Sequence, residues 1–531
     1  MRSAAKILIL ASLLALRPAC GGGGGGGAGV PAGPSMPTLP GLVATAPTVP
    51  ASLPGTTFPA LALNGAAANQ TVNTVGQTDA QVQAALQNAL NAGGKTVVNT
   101  GGAPRTVILT SQLTLGASAG AILDGGPDGL TLDGNLNTRL IHLGDLASLT
   151  VQRVRFVNGR HPQNGAAING GEPRLTFLTV INCTFDNCQT TQAGPDFGGG
   201  AIRAWNTEHT QISGCTFNLC AASNGGAVNS LGSRLTILNS KFTQNAAFGT
   251  GGGAEKGPTG QGGIGGAVYV DNVSNHATAT PQLAIAGCIF NANVANDHAG
   301  AVFGYTNPAE PSTSIFEACT FAGNVVVGGQ GHSGGIYSQA GTLTVRNCTF
   351  NLNSVPGNGG GIFCINTTST IQNSTFYGNT AGVLGGGIAT TQGNVTLLHL
   401  TVAQNHGGQF AGGLFSTTTT TVSNSIFSSN TCTSNPPAGI QVNNSFAGGG
   451  NRQWPTAAGN AGKPVSSSGT TFADPVLIAL AANTSITTFT MALGGGSSAL
   501  NPNPALSGAL ANDQRGNLRN DGFPDVGAFE N

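Results

Sequence analysis

Apolar and polar residues alternate along this chain in short bursts, and the bursts recur. The stretch LTVRNCTFNLN (343–353) returns as STIQNSTFYGN at 369–379 and as TTVSNSIFSSN at 420–430. Aligned two positions before the phenylalanine, ten copies fall at Val154, Cys183, Cys215, Ser240, Cys288, Cys319, Cys348, Ser374, Leu400 and Ser425, with steps of 29, 32, 25, 48, 31, 29, 26, 26 and 25 residues. Two residues on, every copy but Val402 carries phenylalanine: Phe156, Phe185, Phe217, Phe242, Phe290, Phe321, Phe350, Phe376 and Phe427. Three further on, seven successive copies carry asparagine, from Asn245 to Asn430. A glycine pair then leads into an aliphatic, as in GGAV (225–228) and GGIY (334–337).

Two or three short strands per period of this length predict an all-β solenoid, because one period alone cannot bury its apolar residues and stacked periods can. Strands of successive coils lie ~4.8 Å apart, so equivalent residues form ladders: a core of Phe and aliphatics, and an asparagine ladder that satisfies its own buried amides. Glycine pairs suit turns that a Cβ would block. Ten coils plus two or three before them give about 12, a rod roughly 55–60 Å long. The 48-residue step holds an insertion, 248–263, which must leave the stack as a loop.

The N-terminal 148 residues read differently. Arg2 and Lys6 precede the apolar run ILILASLLAL (7–16), the pattern of an export signal and too short to span a bilayer. Cys20 follows, then seven glycines, so residues 1–20 resemble a lipoprotein signal with Cys20 as the lipidation site. Arg17 and Pro18 stand where that motif carries small or branched apolar residues, so an extracellular form without the lipid is the alternative. Residues 21–60 read as a Gly/Pro/Ala-rich disordered tether. In TDAQVQAALQNALNAGG (78–94), Thr78 and Gln81 form a capping box, and Val82, Leu86, Ala89 and Leu90 share a face. This short helix is placed over the open N-terminal end of the solenoid, where bare strand edges invite aggregation. The division expected is a cap and first coils at 61–148, repeats at 149–446 and a distinct C-terminal region at 447–531.

The helix, the LTLDG strand (130–134) and the CTF…N…GG phrases resemble right-handed parallel β-helix proteins related to polymorphic outer-membrane-protein repeats. The ending NDQRGNLRNDGFPDVGAFEN resembles the choice-of-anchor Q domain of bacterial surface proteins. That resemblance implies a right-handed parallel β-helix, a cell-surface or outer-membrane location and a role in adhesion or display. Anchoring signals follow the motif in that family; Asn531 follows it here, so Cys20 is the expected anchor. The six charged residues Asp513, Arg515, Arg519, Asp521, Asp525 and Glu530 are expected to form a salt-bridged cap over the last coil.

Charge narrows the function. Lys plus Arg and Asp plus Glu are 19 each, only 7% of residues, which excludes the basic stripe of a nucleic-acid binder and leaves little for acid–base catalysis. The partners expected are a polysaccharide or another cell-surface ligand, with membrane contact only through the lipid, and a monomer. The alternative is a polysaccharide lyase or glycosidase on the coils at 160–310, where charges and insertions gather. A lyase wants carboxylates in register around Ca²⁺ and a glycosidase wants a carboxyl pair. Glu172, Glu208, Asp271 and Glu310 are out of register when measured from their glycine pairs. RAWNTEH (203–209) is the best catalytic candidate, with Arg203, Glu208 and His209 beside Trp205 as a sugar platform; a solvated loop around one tryptophan is the plainer reading. Asp124, Asp128 and Asp133 suit either Ca²⁺ or turns, and no zinc-like Cys/His spacing occurs, so no cofactor is expected. Cys183 with Cys215, and Cys188 with Cys220, lie one period apart, as disulfides or as stacks of free thiols. Finally, Thr344, Thr370, Thr396 and Thr421 occupy one position on four consecutive coils, and Thr349, Thr375 and Thr401 a second. Both rows are expected to face outward, either as ordinary strand threonines or as a flat binding face.

Overall fold

In the computed structural model, residue 58 and residues 61–531 are described, apart from 171–176, 251–261, 272–281, 307–311, 434–440, 456–463, 467–468, 484–486, 502–506 and 520–521. Cys20, the expected signal at 1–20 and, apart from residue 58, the expected tether at 21–60 lie outside the described residues, as do Glu172, Glu310 and Asp521.

Every named strand pairing is parallel, and the strands form four sheets that run the length of a solenoid. One coil illustrates all: Thr342–Arg346 lies in sheet A, Thr349–Asn351 in sheet B, Ser354–Val355 in sheet D and Ile362–Ile365 in sheet C. Sheets A and B each hold 13 strands, so the rod has about one coil more than the repeats suggest. The extra turning comes from both ends. Gln70–Asn73 opens sheet A, and Arg452–Trp454, beyond the expected repeat boundary at 446, pairs with Ile426–Ser428 in sheet B.

The ladders fill the interior. Phe156, Phe185, Phe217, Phe242, Phe290, Phe321, Phe350 and Phe376 stack with ring centroids 4.6–4.9 Å apart and planes within 8°. In the asparagine ladder each amide nitrogen donates to the next coil's side-chain oxygen, for example Asn353 to Asn379 at 2.8 Å and Asn379 to Asn405 at 2.8 Å. The same oxygens also accept the preceding coil's backbone N–H, so no amide in this dry row is left unpaired.

Every corner of a coil needs a left-handed backbone: in one coil Asn347, Leu352, Gly359 and Asn366 all have φ between 52° and 70°. Between sheets A and B stand Asn182, Asn239, Asn347, Asn373, His399 and Asn424, all at φ between 49° and 57° except Asn373 at 45°. Between sheets B and D stand Asn187, Leu219, Gln244, Leu352, Gln404 and Ser429, again at positive φ. Such a conformation costs a non-glycine residue about 1–2 kcal/mol, least for asparagine, and the ladders hold it in place.

At the N-terminal end, helix α1 (Asp79–Ala92) begins with the capping box of Thr78 and Gln81 and buries Val82, Leu86, Ala89 and Leu90. Its polar face serves the bare strand edge. Gln83 accepts from the Thr110 N–H and donates to the Ser111 carbonyl, and Gln87 does the same for both groups of Thr114. The cap therefore closes the core and also replaces the hydrogen bonds that a missing coil would have supplied.

The C-terminal region is not a cap over the last coil. The described residues of 472–531 turn back and run along the outer face of sheet B as a strap, touching coils from Thr320 to Arg452. The reason is chemical. That face offers a row of hydroxyls and an apolar patch at Ile426, and Leu493, Ala499 and Val526 bury themselves on the latter.

Candidate functional site

The repeat phrase places threonine twice per coil, three residues before the A–B corner residue and two after it. Strand alternation points both outward, and the register carries each into a ladder. In sheet A, Thr344 pairs with Thr370, Thr370 with Thr396 and Thr396 with Thr421. Thr396 is exposed and the other three are half-buried. Beside them Thr342, Thr368, Asn394 and Thr419 are exposed, which makes the surface two polar side chains wide over four coils. Toward the N-terminus the same row reads Thr236, Ala284 and Ile315, so the hydroxyl surface begins at Thr344. Arg346, at its edge, is paired with Glu317 at 2.9 Å, and residues 347–430 contain no Asp, Glu, Lys or Arg.

In sheet B, Thr320, Thr349, Thr375 and Thr401 are equally in register, and all are buried. The outward direction expected of Thr349, Thr375 and Thr401 holds, but these residues are not surface: the strap occupies them. Thr320 donates to the Thr487 carbonyl. Thr349 donates to the Phe489 carbonyl at 2.7 Å and accepts the Phe489 N–H at 2.8 Å. Gln514 bridges two coils, its amide nitrogen on Thr349 at 2.9 Å and its oxygen accepting from Thr375 at 2.7 Å. The Ala528 N–H donates to Thr401 at 3.1 Å. Corner residues add contacts: Asn373 donates to the Asn512 carbonyl at 2.7 Å, and His399 Nδ1 faces the Gly527 carbonyl at 3.3 Å.

The strap's charges hold its own shape. Arg519, with no side-chain exposure, donates to Glu530 at 2.8 Å and to the carbonyls of Asp525 and Gly527. Asp513 pairs with Arg515 at 2.7 Å and accepts the N–H groups of Asn517 and Glu530. The Arg515 guanidinium lies 3.6 Å from the Phe529 ring centroid and also donates to the Glu530 carbonyl. Burial pushes the Glu530 carboxyl up and lowers Arg519, and it holds His399, close to the Arg519 cation, down at about 3. Gly527 sits at φ 98°, and a Cβ there would come within 2.7 Å of Ile426 and 2.9 Å of Thr401. The DQRG and GAFE segments are thus one folded unit, with Gln514 as the residue that reads the ladder.

The RAWNTEH residues divide. Arg203 and Trp205 share the outer face of sheet C, the guanidinium 4.8 Å from the indole centroid. Glu208 is exposed in the following turn. His209 has passed onto sheet A, where it contacts the Thr236 hydroxyl at 2.9 Å and burial near Arg234 lowers it to about 4. Downstream on sheet C, Tyr269, Phe303, Tyr337 and Phe363 form an almost closed outer stack, and Tyr269 donates to Asp271 at 3.2 Å. His298 and His332 lie against it, each accepting a backbone N–H on Nδ1 at 2.9 and 3.0 Å. Sequence reasoning missed this stack, although an aromatic after the aliphatic of each glycine-pair phrase was there to be read.

Cys183, Cys215, Cys188 and Cys220 are free, buried thiols. Each sulfur has a backbone task. The Cys183 N–H donates to the Cys215 sulfur at 3.4 Å, and the Cys215 N–H to the Ser240 hydroxyl at 3.1 Å, so the row takes Cys or Ser alike. Burial raises Cys183 and Cys188 well above the usual thiol range. Asp124 is paired with Arg153 at 2.7 Å and bonded to Gln152, Asp133 caps Asn135, and Asp128 accepts from Gly102, so these aspartates work separately. Among the described residues no group of three His, Cys, Asp or Glu could hold a metal ion, and no helix is long and apolar enough to cross a membrane.

Coils of this form, laddered inside and out, make the chain a right-handed parallel β-helix. A family model described as a right handed beta helix region matches residues 132–350. No curated protein and no solved structure matches the chain.

Proposed function

We propose that this β-helix is an exported surface rod, a non-catalytic adhesion or display module that binds glycan or another surface. The observation that carries this is the open ladder Thr344–Thr370–Thr396–Thr421, in register, solvent-facing and without charge. A Thr row gives a flat surface of hydroxyls and methyls, which suits a neutral, hydroxylated partner better than a charged one. Kinship to choice-of-anchor Q proteins is supported by the DQRG and GAFE segments, which fold together into the strap. The apolar run at 7–16 and Cys20 support export and a lipid anchor at the cell surface or outer membrane.

A second reading, a polysaccharide lyase or glycosidase on the coils at 160–310, is favoured by one observation: Arg203 and Trp205 pack together on sheet C, in the same rows as Tyr269 and Asp271. One experiment separates the two. The protein is incubated with a panel of polysaccharides, with and without Ca²⁺, and both released product and protein left in solution are measured. The rod predicts depletion of protein without new reducing ends or unsaturated product. Product that disappears in Glu208→Gln overturns it in favour of the enzyme.

A further inference from the structure

The two ladders share a residue type and three coils, and the occupied one shows what the open one can accept. On sheet B the strap supplies at least one hydrogen-bonding group per threonine rung, a carbonyl, an amide or an N–H, and three at Thr349. It does so with three separate stretches of chain, at 487–489, 514 and 528. An extended peptide explains why. Its same-side groups repeat about every 6.6–6.8 Å, whereas coils repeat every ~4.8 Å, so one peptide strand loses step after two rungs. Gln514 and the 528 region are needed to fill the rungs that 487–489 cannot reach.

A partner for the open ladder must therefore repeat close to the coil rise, offer a donor or acceptor at each repeat, and carry no charge. A β-linked hexopyranose chain in extended form meets all three conditions: one ring per coil, hydroxyls at its edges and apolar C–H faces for the threonine methyls. We propose that the sheet A ladder seats a neutral polysaccharide chain lying along the rod axis, with Thr344, Thr370, Thr396 and Thr421 contacting successive sugar units and Thr342, Thr368 and Thr419 flanking them. Anionic polymers lack a cation to pair with, since Arg346 is held by Glu317 and none follows before residue 430. This rests on the reading of the chain as a binding rod and adds the face, the ligand class and the direction.

The test uses the full chain with three probes: microcrystalline cellulose, chitin and soluble polygalacturonate. The expected result is depletion by cellulose or chitin that survives high salt, with none by polygalacturonate. The quadruple variant Thr344→Val, Thr370→Val, Thr396→Val, Thr421→Val, which keeps the shape and removes the hydroxyls, should weaken binding at least about tenfold. The single variant Thr396→Lys, at the most exposed rung, should do likewise and guards against misfolding of the quadruple one. Binding to a neutral fibre that neither variant changes overturns the ladder assignment while leaving the rod reading intact. Binding to polygalacturonate alone overturns the ligand class. No binding to any polymer overturns both.

Discussion

The threonine ladders of sheets A and B start from the same short phrase, yet one is surface and the other is core. Thr370 and Thr375 lie five residues apart, on the same coil, with the same outward direction. What separates them is 139 residues away in sequence: Gln514 bonds Thr375, and among the described residues no strap hydrogen bond reaches Thr370. A repeat therefore sets which residues line a face, while a single non-repeating segment sets whether that face is available. The strap also shows how selective such a ladder is, because its hydroxyls are matched rung by rung and the apolar rung at Ile426 receives Leu493 and Val526 instead.

The largest test of this contrast is to remove the strap's central cation. Arg519→Met leaves Glu530 buried without its partner, which costs about 3–5 kcal/mol. The loss should be local, since none of the Phe or Asn ladder depends on Arg519. Hydrogen exchange should rise through 472–531 and at Thr349 and Thr375, and stay slow at Phe185–Phe242. A uniform rise along the rod would show that the strap is part of the solenoid's own stability.

Acid should act on the same joint. His399 is neutral in the folded state, its ring against the Gly527 carbonyl and the Asn424 amide, with Arg519 nearby. Its folded value of about 3 lies below the ~6.5 of an unfolded histidine. The unfolded chain therefore binds the proton first, and the stability His399 contributes is complete above about pH 6.5 and drains away as pH falls toward 3. Glu530, whose carboxyl is raised by burial, works in the opposite sense as it protonates. His399→Asn keeps a residue that tolerates the left-handed corner and should flatten the acid response of strap melting, measured by proteolysis from pH 7 to 4. An unchanged profile would place the acid sensitivity elsewhere, with His332, also held near 3, the next group to replace.

How much of this was legible in the sequence follows from the range of the interactions. The Phe and Asn rows, the capping box and the threonine rows are all written within one period or one helix, so spacing alone exposes them. The left-handed corners at Leu219, Leu352 and His399 were not readable, because the stack overrides the preference of those residues. The strap was readable as a unit, from its charges and its DQRG and GAFE phrases, but not its position. Nothing near Gln514 says that it lies against Thr349 and Thr375, and a cluster of charges after the last repeat reads most simply as an end cap. The thiols were ambiguous for another reason: a disulfide and an N–H to sulfur contact demand the same one-period spacing.

The smallest effect is the sharpest comparison. Thr375→Val and Thr370→Val delete the same atom from the same coil. At position 375 the change strips Gln514 of a buried partner, so it should cost about 1–3 kcal/mol. At position 370, where the side chain is half-buried and faces water, it should fall within about ±0.5 kcal/mol, with valine as good a strand residue as threonine. Thermal or denaturant unfolding of the two single variants measures both. A further variant pairs Thr375→Val with Gln514→Leu, so that both ends of the contact become apolar. If the strap recognises the ladder through this hydrogen bond, the double variant should recover part of the loss, since no buried polar group is then left alone. Equal costs at 370 and 375 would mean that the strap rests on its apolar contacts at Ile426, and that the hydroxyl rungs follow from the repeat without directing anything onto it.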